Sequence, residues 1–278
     1  MKIVVLVKQI LDPAGVTVRR DRERIFINRK DYIIEPGSKA AIEAALRLKD
    51  AGRAEHAKGL EGDGPPTVVA LSLGKAQADD ALREALAMGC DEAYLLCDEA
   101  FEEADLSGVS AVLAAAVVKL GGADLVLAGR EAGDSGAGQV GPRLAEALGY
   151  AGVTDAYSLA LESEVGAVEA VCRWGEGYAT VRASLPAVVS VAPEAFRPRY
   201  AHGARIMSAY RDWQVTTWDA AGLELDEEAL KPLLAFRSEG FPPPLEVGEK
   251  FRGEPADVAG DVVMALKLQK LIGGNNGL

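Results

Sequence analysis

The feature that most constrains this chain is a rhythm. Apolar runs of strand length recur, and each is followed by a segment whose apolar residues fall at helical spacing. The strand-like runs are residues 3–7, 67–73, 93–97 and 124–128; the helical segments are 39–51, 76–88, 107–120 and 141–148. In the first helical segment Ile42, Ala45, Leu46 and Leu48 share one face. Continuous apolar strands alternating with amphipathic helices are the pattern of a parallel sheet buried on both faces. The expected fold class is therefore α/β, a doubly wound and mostly parallel sheet.

Two regions depart from the rhythm. Residues 16–28 read as a small hairpin around the charged turn Asp21-Arg22-Glu23, inserted between the first strand and the first helix. After Ala151 the runs 157–161, 165–174 and 177–182 alternate in strand fashion, with turns at Gly166 and Gly175-Glu176-Gly177, and predict antiparallel strands at the sheet edge. Residues 185–191 predict one more buried strand, entered through Pro186. Beyond Tyr210 come Pro232, the run Pro242-Pro243-Pro244 and an amphipathic stretch at 256–272. This predicts a main domain over 1–210 and a C-terminal arm over 211–278. The arm either packs on a partner or wanders over the domain's own surface.

Composition enters through what it excludes. Forty-two acidic and thirty basic residues leave a formal charge of -12, which repels a phosphate backbone, so no nucleic-acid partner is expected. No apolar run approaches the ~20 residues of a membrane span, and the opening residues read as a first strand rather than a signal peptide, so no membrane insertion is expected. Cys90, Cys97 and Cys172 are odd in number and lack a CxxC spacing, and only His56 and His202 are present. Disulfide frameworks, metal sites and histidine-based nucleophilic catalysis all lack material, and the expected compartment is a reducing cytoplasm.

The richest local signal is the loop from Gly129 to Pro142, Gly-Arg-Glu-Ala-Gly-Asp-Ser-Gly-Ala-Gly-Gln-Val-Gly-Pro, between a strand and a helix. Its glycines let the backbone approach a ligand, and free N–H groups at a helix start suit an anion; the alternative is a loop that only turns tightly, since it is neither a Walker A nor a spaced GxGxxG motif. Its place beyond the carboxyl end of a strand is where ligands collect in open parallel sheets. The segments Glu35-Pro36-Gly37-Ser38 and Ser72-Leu73-Gly74-Lys75 fall at the same edge, and Ser38 is the expected cap of the helix beginning at Lys39. There is no Ser/His/Asp set, paired-carboxylate motif or Walker lysine, so the pocket is expected to hold a nucleotide without converting it.

The opening MKIVVLVKQILD, the segments EPGSKAAIEAALRLKD and VVALSLGKAQADDALREALAMGCDEAYLL, the loop DLVLAGREAGDSGAGQVGPRLAEALG and LPAVVSVAPEAFRPRYAHGARIMSAY together resemble the β subunit of electron-transfer flavoproteins. The resemblance runs in order through residues 1–210, and the combination ALAMG, GQVGP and PRY-x6-M is specific. It implies a Rossmann-like domain that binds AMP, or a second FAD in the electron-bifurcating branch. It also implies a heterodimer with an α subunit carrying the FAD that accepts electrons from a dehydrogenase donor, and an electron carrier with no substrate turnover of its own. The C-terminal arm would help hold the mobile domain of α.

Carried over by position, the resemblance implies nucleotide contacts from Leu6, Val7, Glu35, Ser38, Leu73 and Gly74, and from Arg130, Asp134, Ser135, Gly136, Ala137, Gly138, Gln139, Val140 and Gly141. Backbone groups of 136–141 would meet the phosphate, with Gln139 the loop side chain best able to hydrogen-bond. The family's usual Asn-Pro is Glu35-Pro36 here, and its second acidic residue and Thr are Gly136 and Ala137. The family's partner-anchoring leucine corresponds to Ala195, with Phe196 beside it as an exposed aromatic hot spot, while Arg199 and Tyr200 brace the loop. Trp174, Trp213 and Trp218 suggest a subunit interface. Two other readings stay open: a stand-alone adenine-nucleotide sensor or hydrolase on the same fold, and a homodimeric relative without the α partner.

Overall fold

The computed structural model describes residues 1–57, 64–162, 165–234, 240–243 and 248–272; Pro244 of the proline run lies outside them. The chain divides into two compact units, Met1–Arg237 and Ser238–Leu278. The first unit opens with β1 (Lys2–Leu6), β2 (Gln9–Leu11), the ribbon β3 (Val16–Arg19) and β4 (Arg24–Ile27), and β5 (Tyr32–Ile34). Then come α1 (Pro36–Ala57), β6 (Thr67–Leu73), α2 (Asp79–Met88), β7 (Glu92–Leu96), α3 (Leu106–Lys119), β8 (Leu125–Gly129) and α4 (Val140–Leu148). Four strands follow, β9 (Ala151–Glu162), β10 (Ala167–Trp174), β11 (Gly177–Ser184) and β12 (Ala187–Val191). The unit ends with α5 (Gly203–Arg211), β13 (Thr216–Trp218) and α6 (Glu227–Leu230).

Nine strands form one sheet in the order β11-β10-β9-β12-β8-β1-β6-β7-β13. The central pairs, β1 with β6 and β8 and β12 with β8, are parallel, and β9-β10-β11 forms the expected antiparallel edge. Because side chains alternate along a strand, β1 feeds two layers. Ile3, Val5 and Val7 enter a core with α1 and α2, and Val4 and Leu6 enter a second core with α3 and α4. Leu82, Leu125 and Leu144 are fully buried in these layers. Each withdraws a side chain from water for roughly 1.5–3 kcal/mol.

β9 begins six residues before the expected run at 157. Its first half pairs parallel with β12, from Ala151 to Ala156, and its second half pairs antiparallel with β10. A strand that changes partner midway does not present one uniform alternation, which is why only its second half was visible in the pattern.

Residues past 210 remain with the first unit as far as Arg237. β13 pairs parallel with β7 as the outermost strand, and Leu223 and Leu230 enter the second core. Asp105 caps α3 with one carboxylate oxygen, on the N–H groups of Ser107 at 2.9 Å and Gly108 at 3.2 Å. Its other oxygen accepts from Leu233 and Leu234 at 2.8 and 3.1 Å, so one carboxylate serves both the helix and the returning chain. Trp218 packs tilted against Tyr94 at 4.6 Å between centroids, and Trp213 packs on the first core; both are half-buried, and of the three tryptophans only Trp174 is exposed. The second unit holds α7 (Pro255–Leu268), none of whose residues is buried.

Arg199 ties the segment after β12 to α1. Its guanidinium donates to buried Glu43 at 2.8 Å and to Asp50 at 2.9 Å. Burial works against the charged Glu43, but the hydrogen bonds from Arg199 and Arg47 outweigh it and hold the carboxyl below its usual value. A carboxylate so depressed contributes stability that is fully present above its unfolded pKa and is lost as pH falls through the folded one. Arg199→Ala is expected to lower stability by about 1–3 kcal/mol near neutral pH, the loss shrinking under acid conditions where Glu43 is protonated in both proteins. Urea unfolding of both proteins across that pH range checks the sign.

Candidate nucleotide cavity

The sheet's carboxyl edge is shaped by one close approach. The start of α1 lies directly on the end of β8: a Cβ added to Gly129 would stand 2.7 Å from the carbonyl carbon of Gly37 and 3.0 Å from the nitrogen of Ser38. Only a residue without a side chain lets backbone meet backbone there. Glu35, 5% exposed, is the residue that caps α1: its Oε2 accepts from the N–H of Ser38 at 2.8 Å. The expected cap, Ser38, is inside the first turn instead, because the helix starts at Pro36 rather than Lys39. Its hydroxyl is thereby released to accept from the N–H of Lys8 at 3.1 Å, which joins the helix start to the end of β1.

Around this floor lies a cavity of about 730 Å³, within the usual range for small-ligand sites. Leu6, Val7, Glu35, Ser38, Leu73, Gly74, Arg130, Asp134, Ser135, Ala137, Gly138, Gln139 and Val140 all line it. Gly136 and Gly141 do not. Gly136 donates its N–H to Ala132 at 2.7 Å, closing a turn within the loop, and Gly141 is buried against Ser190 beside a smaller cleft. The sequence reading missed the apolar wall formed by Phe101, Leu106, Val109 and Leu113. These residues follow the end of β7, so the rule that ligands gather beyond parallel strand ends was the signal that could have found them.

The cations in the cavity are all engaged. Lys8 pairs with Asp134 at 2.8 Å, Lys75 with Glu102 at 2.9 Å, and Arg130 with Asp155 at 3.1 Å and Glu131 at 3.3 Å. Partial burial opposes ionisation of Asp134, but the Lys8 ammonium and the Ser135 N–H outweigh it and hold the carboxyl below its ordinary value. Gln139 has its Oε1 taken by Arg143 at 3.0 Å. What is left to meet an anion is backbone, with the Gln139 amide NH2 and the Ser135 hydroxyl beside it. Among the described residues, the N–H groups of Ala137, Gly138, Gln139, Val140 and Gly141 meet no acceptor, and α4 has no side-chain cap. Gly138, with φ +62°, turns the chain so that these donors succeed one another at a helix N-terminus, a geometry that favours phosphate.

Cys90 and Cys172 are buried away from thiolate chemistry. Burial pushes the Cys90 thiol up to about 12 and raises that of Cys172, while Cys97 is half-buried at the cavity. His202 caps α5 through Nδ1, which accepts from Ala204 at 3.3 Å.

The segment expected to anchor a partner requires a correction. Phe196 is 5% exposed, packed in the first core, with the Arg47 guanidinium 5.5 Å from its ring centroid. A turn closed by the N–H of Ala195 on the carbonyl of Ala192 sends Phe196 inward, which a linear pattern does not reveal. Ala195 is half-buried on the same core, and Tyr200 is fully exposed.

A doubly wound sheet with a cavity and a glycine-rich loop at its carboxyl edge defines an α/β protein with a candidate nucleotide site. Comparison then places it: residues 24–223 match the model of the electron transfer flavoprotein domain. The chain is 35% identical over 279 residues to the caffeyl-CoA reductase-Etf complex subunit CarD of Acetobacterium woodii, covering 98% of this chain and 100% of that one. It is 37% identical over 230 residues to the electron transfer flavoprotein subunit beta of Clostridium acetobutylicum, covering 83% of each chain. It is 32% identical over 269 residues to that of Bacillus subtilis, covering 96% of this chain and 98% of that one. The chain belongs to the electron transfer flavoprotein β-subunit family. Among the described residues no helix is long and apolar enough to cross a membrane.

The close approach at Gly129 gives a direct test. Gly129→Ala forces the start of α1 off β8, and a well-packed site resists such insertion at about 1–3 kcal/mol. Thermal denaturation is expected to show a midpoint lower by several degrees, with Gly133→Ala, whose added Cβ meets only the tip of Ile10 at 3.7 Å, near wild type.

Proposed function

We propose that this chain is the nucleotide-holding subunit of an electron-transfer heterodimer, and that its cavity takes an adenine nucleotide whose phosphate lies on the backbone N–H groups of 137–140. The observation that carries the proposal is this run of donors without acceptors, at the N-terminus of α4 and against a cavity that contains no unpaired cation among the described residues. The residues fit such a group by the chemistry of their donors. Leu6, Leu73 and Gly74 offer apolar surface for the adenosine, and Glu35 and Ser38 offer polar atoms beside it. An AMP supplies no redox chemistry and serves as a structural filler; a flavin supplies one- and two-electron transfer.

AMP is the leading ligand. The second reading is FAD, with its ADP portion in the same cradle, and one observation favours it: the lining extends beyond the expected contacts to Phe101, Leu106, Val109 and Leu113, an apolar wall suited to a larger ligand. Under either reading the protein holds and orients its nucleotide, an α subunit carries the electron-accepting FAD, and dehydrogenases supply the electrons. The absence of a Ser/His/Asp set or Walker lysine in the sequence supports a carrier without turnover of its own.

Acid release from the purified protein, with and without a co-expressed α subunit, tests this. One AMP per β chain and one FAD per heterodimer is the expected result, and two FAD would select the second reading. Gly138→Val places a β-branched residue at φ +62°, and its bound nucleotide is expected to fall at least about tenfold relative to wild type. Retained nucleotide in that variant would move the phosphate elsewhere.

A further inference from the structure

We infer that the ribbon formed by β3 and β4 is an obligate docking element, gripped on both faces by a cleft of the α subunit with one aliphatic wall and one acidic wall. The inference rests on the heterodimer reading above and goes beyond it by assigning a surface. Every residue from Thr17 to Tyr32 is exposed. Among the described residues, no ion pair or side-chain hydrogen bond joins 18–27 to the rest of the chain; the ribbon is held at its base, where Asn28 and Arg29 donate their N–H groups to Gly15. A lone two-stranded ribbon is at best marginally stable in water, so one that leaves the body of the protein calls for a partner.

Its two faces differ in chemistry. The register sets Val16 opposite Ile27 and Val18 opposite Ile25, so these four aliphatic residues share one face. Val18, Ile25 and Ile27 are 53, 61 and 50% exposed. On the opposite face Thr17 meets Phe26 and Arg19 meets Arg24. Like charges directly opposite one another destabilise a ladder, and Arg19, Arg20 and Arg24 pair with no carboxylate among the described residues. Residues 16–32 hold six cations and three anions in a chain whose net charge is -12. Carboxylates supplied by a partner would relieve the arginine pair.

This arrangement decides among occupants. Nucleic acid offers phosphate to the arginine face but no apolar surface to the aliphatic one, and a bilayer presents both from the same side. A protein cleft covers both. A bare aliphatic face is also the mark of a permanent interface rather than a passing encounter.

The test uses the full chain with its co-expressed α subunit. Amide hydrogen exchange of residues 16–27 is expected to slow in the complex, and Ile25→Asp to weaken association about tenfold or more, measured by calorimetry. Arg19→Glu with Arg24→Glu is expected to weaken it and to flatten its salt dependence, with the melting temperature of the free chain unchanged in both variants. A complex that forms while the ribbon exchanges freely and both variants bind normally overturns this assignment alone. No complex at all overturns the heterodimer reading with it. Protection of the ribbon by vesicles containing phosphatidylglycerol or by a single-stranded RNA, without protection by α, also overturns the assignment.

Discussion

The structure turns on the contact between the start of α1 and the end of β8. Two glycines, Gly37 and Gly129, let a helix terminus rest on a strand terminus with backbone against backbone. That proximity makes Glu35 the cap and leaves Ser38 to bind the end of β1, so three elements separated widely in sequence are locked at one edge. The cavity lies at this edge. Its floor is the joint, and its roof is the loop that leaves β8 and leads into α4.

Electrostatics then dictates how such a cavity can hold an anion. Its lining has six carboxylates, Glu35, Asp98, Glu99, Glu102, Glu131 and Asp134, against three cations, Lys8, Lys75 and Arg130. Each cation already has a carboxylate partner. In a chain this acidic, fixed backbone dipoles at a helix start would be a means of holding the proposed phosphate without attracting the chain's own carboxylates away from their pairs. The same logic gives the ribbon its contrast, because its Arg19, Arg20 and Arg24 meet no carboxylate among the described residues.

Much of this was legible in the linear pattern. The strand order in sequence, the helix faces and the glycine-rich loop at the cavity all show in apolar periodicity and in glycine placement, because both report on local backbone geometry. Thirteen of the fifteen residues expected at the nucleotide site line the cavity. The exceptions have local causes: Gly136 spends its N–H on Ala132, and Gly141 is pressed against Ser190. Phe196 was misjudged for a different reason. Its neighbours are charged and small, as in an exposed loop, yet the turn at Ala192 to Ala195 directs the ring onto α1.

The sequence by itself determined which side of each element is apolar, where the chain turns, and the family to which it is related, since these depend on residues a few positions apart. The tertiary structure alone decided which groups converge. Lys8 reaches Asp134 across 126 positions, Arg199 reaches Glu43 across 156, and β9 exchanges a parallel neighbour for an antiparallel one midway along its length. Such pairings follow from how layers pack against one another. Local periodicity states that a face must be covered, and only packing selects what covers it.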